Sequence, residues 1–243
     1  MDLLSSLNPE QQEAVLHTEG PLLILAGAGS GKTRVIAHRI AHLVSSGIAS
    51  PDRVLAVTFT NKAAGEMRTR VETLLGTDCR QMWISTFHAL CARLLRREAP
   101  HIGLTRDFVI YDSTDQLTVV KQAMRELGLD DSAVQPRAAL SRISHAKNRM
   151  EGPESFTENS WNPRDQQIGT LYGMYLKALR EANALDFDDL LLKTVDLFEQ
   201  SETVRDCELV RYRIATVFST WSCSATRHVL AMNSASSRSS PAL

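Results

Sequence analysis

Pro21-Leu22-Leu23-Ile24-Leu25-Ala26-Gly27-Ala28-Gly29-Ser30-Gly31-Lys32-Thr33 joins an apolar run to a glycine-rich loop, and residues 34–44 behind it have the composition of a helix. Three glycines let backbone N–H groups turn inward around a polyanion at a helix N-terminus, where the aligned peptide dipoles already favour negative charge. Lys32 adds a mobile cation and Thr33 a hydroxyl suited to Mg²⁺, so the stretch reads as a phosphate-binding loop for a nucleoside triphosphate. Ala26 stands where the strict pattern has Gly, a small departure at a residue that only has to end the strand compactly. The strand, loop and helix in that order decide the fold class as α/β.

The pattern extends on both sides of the loop. Asn8-Pro9-Glu10-Gln11 opens a first helix to His17, with Asn8 as N-cap, Pro9 at the first helical position and Gln11 three residues after the cap. Residues 22–26 are expected as a strand, with its helix running on to about Ser46. Strands at 53–59 and 82–85 flank a helix at 62–75, and this β-α-β-α-β order implies a parallel sheet. A helix at 87–97 and a short strand at 108–111 then give way to helical patterns at 115–127, 136–150 and 163–184, with residues 151–162 as the clearest internal loop. Alternating α/β followed by helix after helix predicts a separate helical subdomain. Asp186-Phe187-Asp188-Asp189 starts a further helix to about Gln200; its three acids read as a helix cap complementing the dipole rather than as a metal pair.

The 243 residues carry a formal net charge of -1, which excludes a globally basic footprint and leaves nucleic-acid binding to local patches. Cys79, Cys91, Cys207 and Cys223 show no C-x-x-C spacing, which suits reduced thiols, and no apolar run approaches the ~20 residues that span a bilayer. The expected location is cytoplasmic, with no membrane partner. From Leu209 onward there is no Asp or Glu and serines crowd the end, so residues 207–243 are expected to be a poorly ordered tail.

Two further segments sit where a strand gives way to a helix, at the carboxyl edge at which open α/β sheets bind ligands. The first is Thr58-Phe59-Thr60-Asn61-Lys62-Ala63-Ala64 and the second Ser85-Thr86-Phe87-His88. Thr60 and Asn61 serve equally as helix caps, Phe59 as core and His88 as a structural histidine. An aromatic beside hydroxyl and amide groups also suits a stacked nucleobase. Residues 132–150 have no acid but carry Arg137, Arg142, Lys147 and Arg149, and Arg142, His145 and Arg149 share one helix face. That face reads as solvated surface or as a phosphate contact, with neither favoured.

Together, Leu7-Asn8-Pro9-Glu10-Gln11, the loop with Arg34, the two strand-end segments and Leu185-Asp186-Phe187-Asp188-Asp189-Leu190 resemble UvrD/PcrA/Rep-type superfamily I DNA helicases in order and spacing. The likeness covers residues 1 to about 206. It implies a P-loop NTPase (RecA-like) motor domain at 1–92 plus 186–206, with an all-helical subdomain inserted at 93–185. It further implies ATP and Mg²⁺ as cofactors and an ATP-dependent 3′-5′ helicase of DNA repair that acts on single-stranded DNA and duplex junctions.

By the resemblance, Gln11 reads the adenine edge and Arg34 packs near the base. Ala26, Gly27, Ala28, Gly29, Ser30 and Gly31 cradle the phosphates, Lys32 holds the β/γ-phosphates and Thr33 ligates Mg²⁺. Phe59, Thr60, Asn61, Thr86 and His88 line the DNA track. The family's next motif, an apolar strand ending in Asp-Glu with Gln-Asp close behind, is absent from the sequence. Phe108-Val109-Ile110-Tyr111-Asp112 imitates it without the Glu. The expectation is an incomplete sheet with an unpaired edge, and beside the helicase reading stands the alternative of a truncated or frame-shifted fragment that binds ATP and single-stranded DNA without turnover.

Overall fold

A computed structural model describes residues 3–20, 22–25, 27, 29–129, 134–211 and 214–217, which fall into two compact units. The first comprises residues up to Leu90 together with those described from Arg205 onward, and the second runs from Cys91 to Val204. In chain order the first unit has α1 (Pro9–Leu16), α2 (Lys32–Ser45), β1 (Val54–Thr58), α3 (Asn61–Leu75) and β2 (Trp83–Thr86). α4 (Phe87–Arg97) runs across the boundary. The second unit has β3 (Val109–Tyr111), α5 (Ser113–Glu126), α6 (Pro136–Asn148), α7 (Pro153–Glu158), α8 (Pro163–Glu181), β4 (Ala184–Asp186) and α9 (Phe187–Gln200). α10 (Glu202–Arg211) leads back to β5 (Ile214–Val217) in the first unit.

The first unit is built on a parallel sheet of order β2-β1-β5, in which Val57 pairs with both Ser85 and Val217. The β-branched and small residues of β1 bury both faces, as a central parallel strand requires. Ile36, Ile40 and Leu43 recur at helical spacing on α2 and meet Met67 and Val71 of α3, Val54 and Ala56 of β1, and Ile84 of β2 in one core. Each of the Ile, Leu, Val and Met side chains contributes about 1.5–3 kcal/mol by leaving water.

Two expectations are corrected here. Residues 22–25 enter no ladder among the described residues, and Leu22, Leu23 and Leu25 are exposed. Apolar character alone does not make a strand, because the backbone groups must also pair with a neighbouring strand, and among the described residues these four pair with none. The second correction concerns the end of the chain. Of the stretch 207–243 expected as a poorly ordered tail, α10 runs to Arg211 and β5 adds a parallel strand to β1, while residues 212, 213 and 218–243 lie outside the described residues. The loss of carboxylates removes chemistry but not β-propensity, and Ile214-Ala215-Thr216-Val217 is a sound strand sequence.

The second unit packs α5, α6, α7 and α8 around Val120, Met124, Ile143, Phe156, Leu171 and Tyr175. The segment 151–162 is not wholly loop, because Pro153 starts α7 and buried Phe156 anchors it against α8. The helix expected to reach residue 184 stops at Glu181, and Asn183 with φ of +47° turns the chain; Ala184-Leu185-Asp186 then pairs in parallel with Val109-Ile110-Tyr111. Thus the strand that imitated the missing motif belongs to the second unit, and Asp112 caps α5 through its own capping box.

Candidate nucleotide and nucleic-acid site

Two capping interactions converge on the glycine-rich loop. Asn8 accepts from the Gln11 backbone N–H at 2.8 Å, and Gln11 Oε1 accepts from the Asn8 N–H at 3.2 Å. The same Gln11 donates Nε2 to the Ser30 carbonyl at 3.1 Å, so the partner of the N-cap also touches the loop. Gln11 therefore completes the capping box and also ties α1 to the glycine-rich loop. Leu7, Val15 and Val35 seal α1 against α2. Arg34 donates to the Ser6 carbonyl, and Arg39 to those of Ala14 and His17.

Gly29 and Gly31 adopt φ of +79° and +82°, values that strain any residue with a Cβ, and Gly31 is the N-cap of α2. A Cβ on Gly31 would lie 3.2 Å from Gln11 Nε2. Ser30 Oγ donates to the Gly27 carbonyl at 2.8 Å, and Lys32 Nζ reaches the same oxygen at 2.6 Å, laying the ammonium across the loop. The first turn of α2 contains no acid, so loop, cation and helix N-terminus together suit a polyanion. Ala26 and Ala28 lie outside the described residues. For Mg²⁺ the fit is thinner. Thr33 supplies a hydroxyl, and the described residues hold no group of three His, Cys, Asp or Glu able to bind a metal.

The parallel register places Thr58 opposite Thr86, so both strand ends deliver their following residues to one edge. Phe59 is 39% exposed and sits 5.5 Å from the Phe87 ring, tilted by 45°; it is a surface aromatic backed by a second ring rather than core. Thr60 accepts from the Ala63 N–H at 3.1 Å and Thr86 from the Ala89 N–H at 3.3 Å, so each hydroxyl stabilises a helix start. Asn61 is exposed and His88 half-buried beside them. The edge gathers Phe59, Thr60, Asn61, Thr86 and His88, while Gln11, Arg34 and the loop gather at the start of α2.

The second unit holds a cluster that sequence reasoning missed. Lys147 is 1% exposed and donates to Asp186 Oδ2 at 2.6 Å and Asp189 Oδ1 at 2.7 Å. Asp186 also accepts from Tyr175 at 2.8 Å and from the Asp189 N–H at 2.8 Å, which makes it the expected cap of α9. Burial pushes the Asp189 carboxyl up, against the opposing pull of Lys147, and burial together with these acids raises the Tyr175 phenol. The available signal was that Lys147 falls on the apolar stripe Ala139, Ile143, Ala146 of α6, where a charge needs a buried partner.

A model of the UvrD/REP helicase N-terminal domain matches residues 7–217, so the likeness extends through β5 and past the boundary at 206. ATP-dependent DNA helicase PcrA of Bacillus subtilis is 50% identical over 198 residues, covering 82% of this chain and 27% of that protein. The PcrA proteins of Staphylococcus epidermidis and Staphylococcus aureus are each 48% identical over the same shares. The chain thus spans about a quarter of the length of the curated relatives it matches. No helix among the described residues is long and apolar enough to cross a membrane.

Proposed function

Since the chain belongs to the UvrD/REP helicase family through its N-terminal domain, we propose that it is the ATP- and single-stranded-DNA-binding portion of a 3′-5′ DNA helicase of repair, working in the cytoplasm. The observation that carries this reading is the loop geometry: Gly29 and Gly31 left-handed at the start of α2, Lys32 laid across the loop, and Gln11 docked on Ser30. In this reading Lys32 moves from the Gly27 carbonyl to the β/γ-phosphates and Thr33 ligates Mg²⁺. Gln11 and Arg34 flank the adenine. Bound ATP supplies a phosphoryl group whose transfer is catalysed chiefly by positioning and charge stabilisation. Phe59 offers a ring to a base, while Asn61, His88 and the helix N-termini capped by Thr60 and Thr86 offer polar partners along the strand. The helical unit meets the duplex junction.

A second reading is that the chain binds both ligands without turnover, and one observation favours it. β5 is the apolar strand expected after α9 and α10, but Val217 is followed by Phe218-Ser219 instead of Asp-Glu, and Glu208 is the last acid in the sequence. A positioned base for the attacking water is worth about 10²–10⁴ in rate. The deciding measurement is ATP hydrolysis by the purified chain with and without single-stranded DNA, beside Lys32→Ala. DNA-stimulated turnover that Lys32→Ala abolishes supports an active motor. Lys32-dependent ATP binding without turnover supports the binding module. Binding that survives Lys32→Ala overturns the site itself.

A further inference from the structure

Trp161 is 98% exposed, the most exposed large apolar side chain among the described residues. It stands just before Asn162, the N-cap of α8, with Pro163 behind, so its backbone is held by a rigid helix start. Beside it lies a cavity of about 360 Å³ whose lining includes Arg142, Arg149 and the acids Glu151 and Asp165, with Phe156 and the polar side chains of residues 159, 160 and 162 around them. Arg142 and Arg149 come from the acid-free face of α6 and its C-cap.

Each arginine is paired with a carboxylate, Arg142 Nη2 with Asp165 at 2.7 Å and Arg149 Nη2 with Glu151 at 2.6 Å. The arginine side chains are 50% and 51% exposed, whereas Asp165 and Glu151 are 21% and 25% exposed. The acids therefore sit deeper and steady the guanidinium planes, and each ion pair is made through a single Nη2 of a group that carries five N–H donors. Half-exposed pairs of this kind are weak enough for a phosphate to share or displace. A broad indole surface, two half-exposed guanidinium groups and amide and hydroxyl side chains around one small cavity are the parts of a nucleotide site. The ring stacks a base, the guanidiniums take the phosphate, and the amides meet the base edge.

We propose that Trp161, Arg142 and Arg149 form a further contact for an unpaired nucleotide of a DNA strand, carried wholly by the helical unit. This rests on the DNA-binding reading above. A paired base does not fit it, because its faces are already stacked within the duplex.

The test uses the full chain with Trp83→Phe and Trp221→Phe, leaving Trp161 as the reporter, titrated with a fluorescein-labelled dT16 while anisotropy reports total binding. Quenching of Trp161 in step with anisotropy is expected. Trp161→Ala in the unaltered chain should weaken dT16 binding about tenfold, within the ~1–3 kcal/mol of one lost stack. Arg142→Gln with Arg149→Gln should lower the salt slope by about 1.4, at ~0.7 per phosphate contact on a single strand. Anisotropy that rises with no change in Trp161 emission overturns this inference and leaves the DNA-binding reading standing. Equal quenching by a blunt duplex overturns the unpaired-base assignment. No binding of dT16 by anisotropy overturns both.

Discussion

Replacing Lys147 by Met keeps the aliphatic stem in the core of the helical unit but strips the cation from two buried carboxylates. Lys147 makes bonds of 2.6 and 2.7 Å to Asp186 and Asp189, all three side chains being 7% exposed or less. A hydrogen bond to a charged group contributes about 1.5–3 kcal/mol, and removing one partner of a buried pair costs about 3–5 kcal/mol because the remaining charge is stranded. Lys147→Met should therefore destabilise the second unit by about 3–5 kcal/mol at pH 7.

The pH dependence follows from the Asp189 carboxyl, which burial raises in the folded state. A raised folded value means the native state holds the proton more tightly. The stabilisation from that proton is complete below the unfolded pKa near ~3.9 and is lost as pH rises through the folded value. Without Lys147 the folded value rises further, so the deficit against the unmodified chain should be largest near neutrality and shrink as pH falls toward about 4. The groups facing the cluster are Tyr175, Tyr172, Asp188 and Glu151, both phenols being raised above their usual range by burial first and by these acids second. Urea unfolding followed by far-UV circular dichroism at pH 7 and pH 4.5 measures both arms. A deficit below about 1 kcal/mol at pH 7, or one that does not shrink on acidification, would refute the assignment of Lys147 as the counter-charge.

Gly169 on α8 lies against α7 so closely that an added Cβ would sit 2.0 Å from Thr157 Oγ1 and 3.1 Å from Thr157 Cβ. Gly169→Ala should cost about 1–3 kcal/mol by denaturant unfolding despite the ~1 kcal/mol helix advantage of Ala, and Thr157→Gly should recover part of it. A stabilised Gly169→Ala chain would show that α7 does not pack there. Burial lifts the Cys91 thiol to about 11 and also raises Cys79, where Glu72 and Asp78 add to the effect, whereas Cys207 is exposed. Peptide mapping after maleimide treatment of the native chain at pH 8 should find Cys207 modified well before Cys79 and Cys91. Equal labelling of Cys91 would count against its place in the core.

The sequence by itself determined every feature whose cause is local. Asn8, Pro9 and Gln11 specify the start of α1, the glycines with Lys32 and Thr33 specify a loop shaped for an anion, and Asp186 with Asp189 specify the cap of α9. These need only neighbours a few residues away, so their spacing alone is legible. Tertiary structure decided what depends on distant partners. Residues 22–25 read as a strand but enter no ladder, while Ile214-Ala215-Thr216-Val217, read as part of a tail, found the edge of β1. The register that sets Thr58 opposite Thr86 brings Phe59 and His88 to one edge, and no local pattern fixes that alignment. Lys147 looked like one more surface cation in an acid-free helix until folding set it against carboxylates 39 and 42 positions away in the chain. A buried charge takes its meaning from its partners, and those partners are chosen by packing.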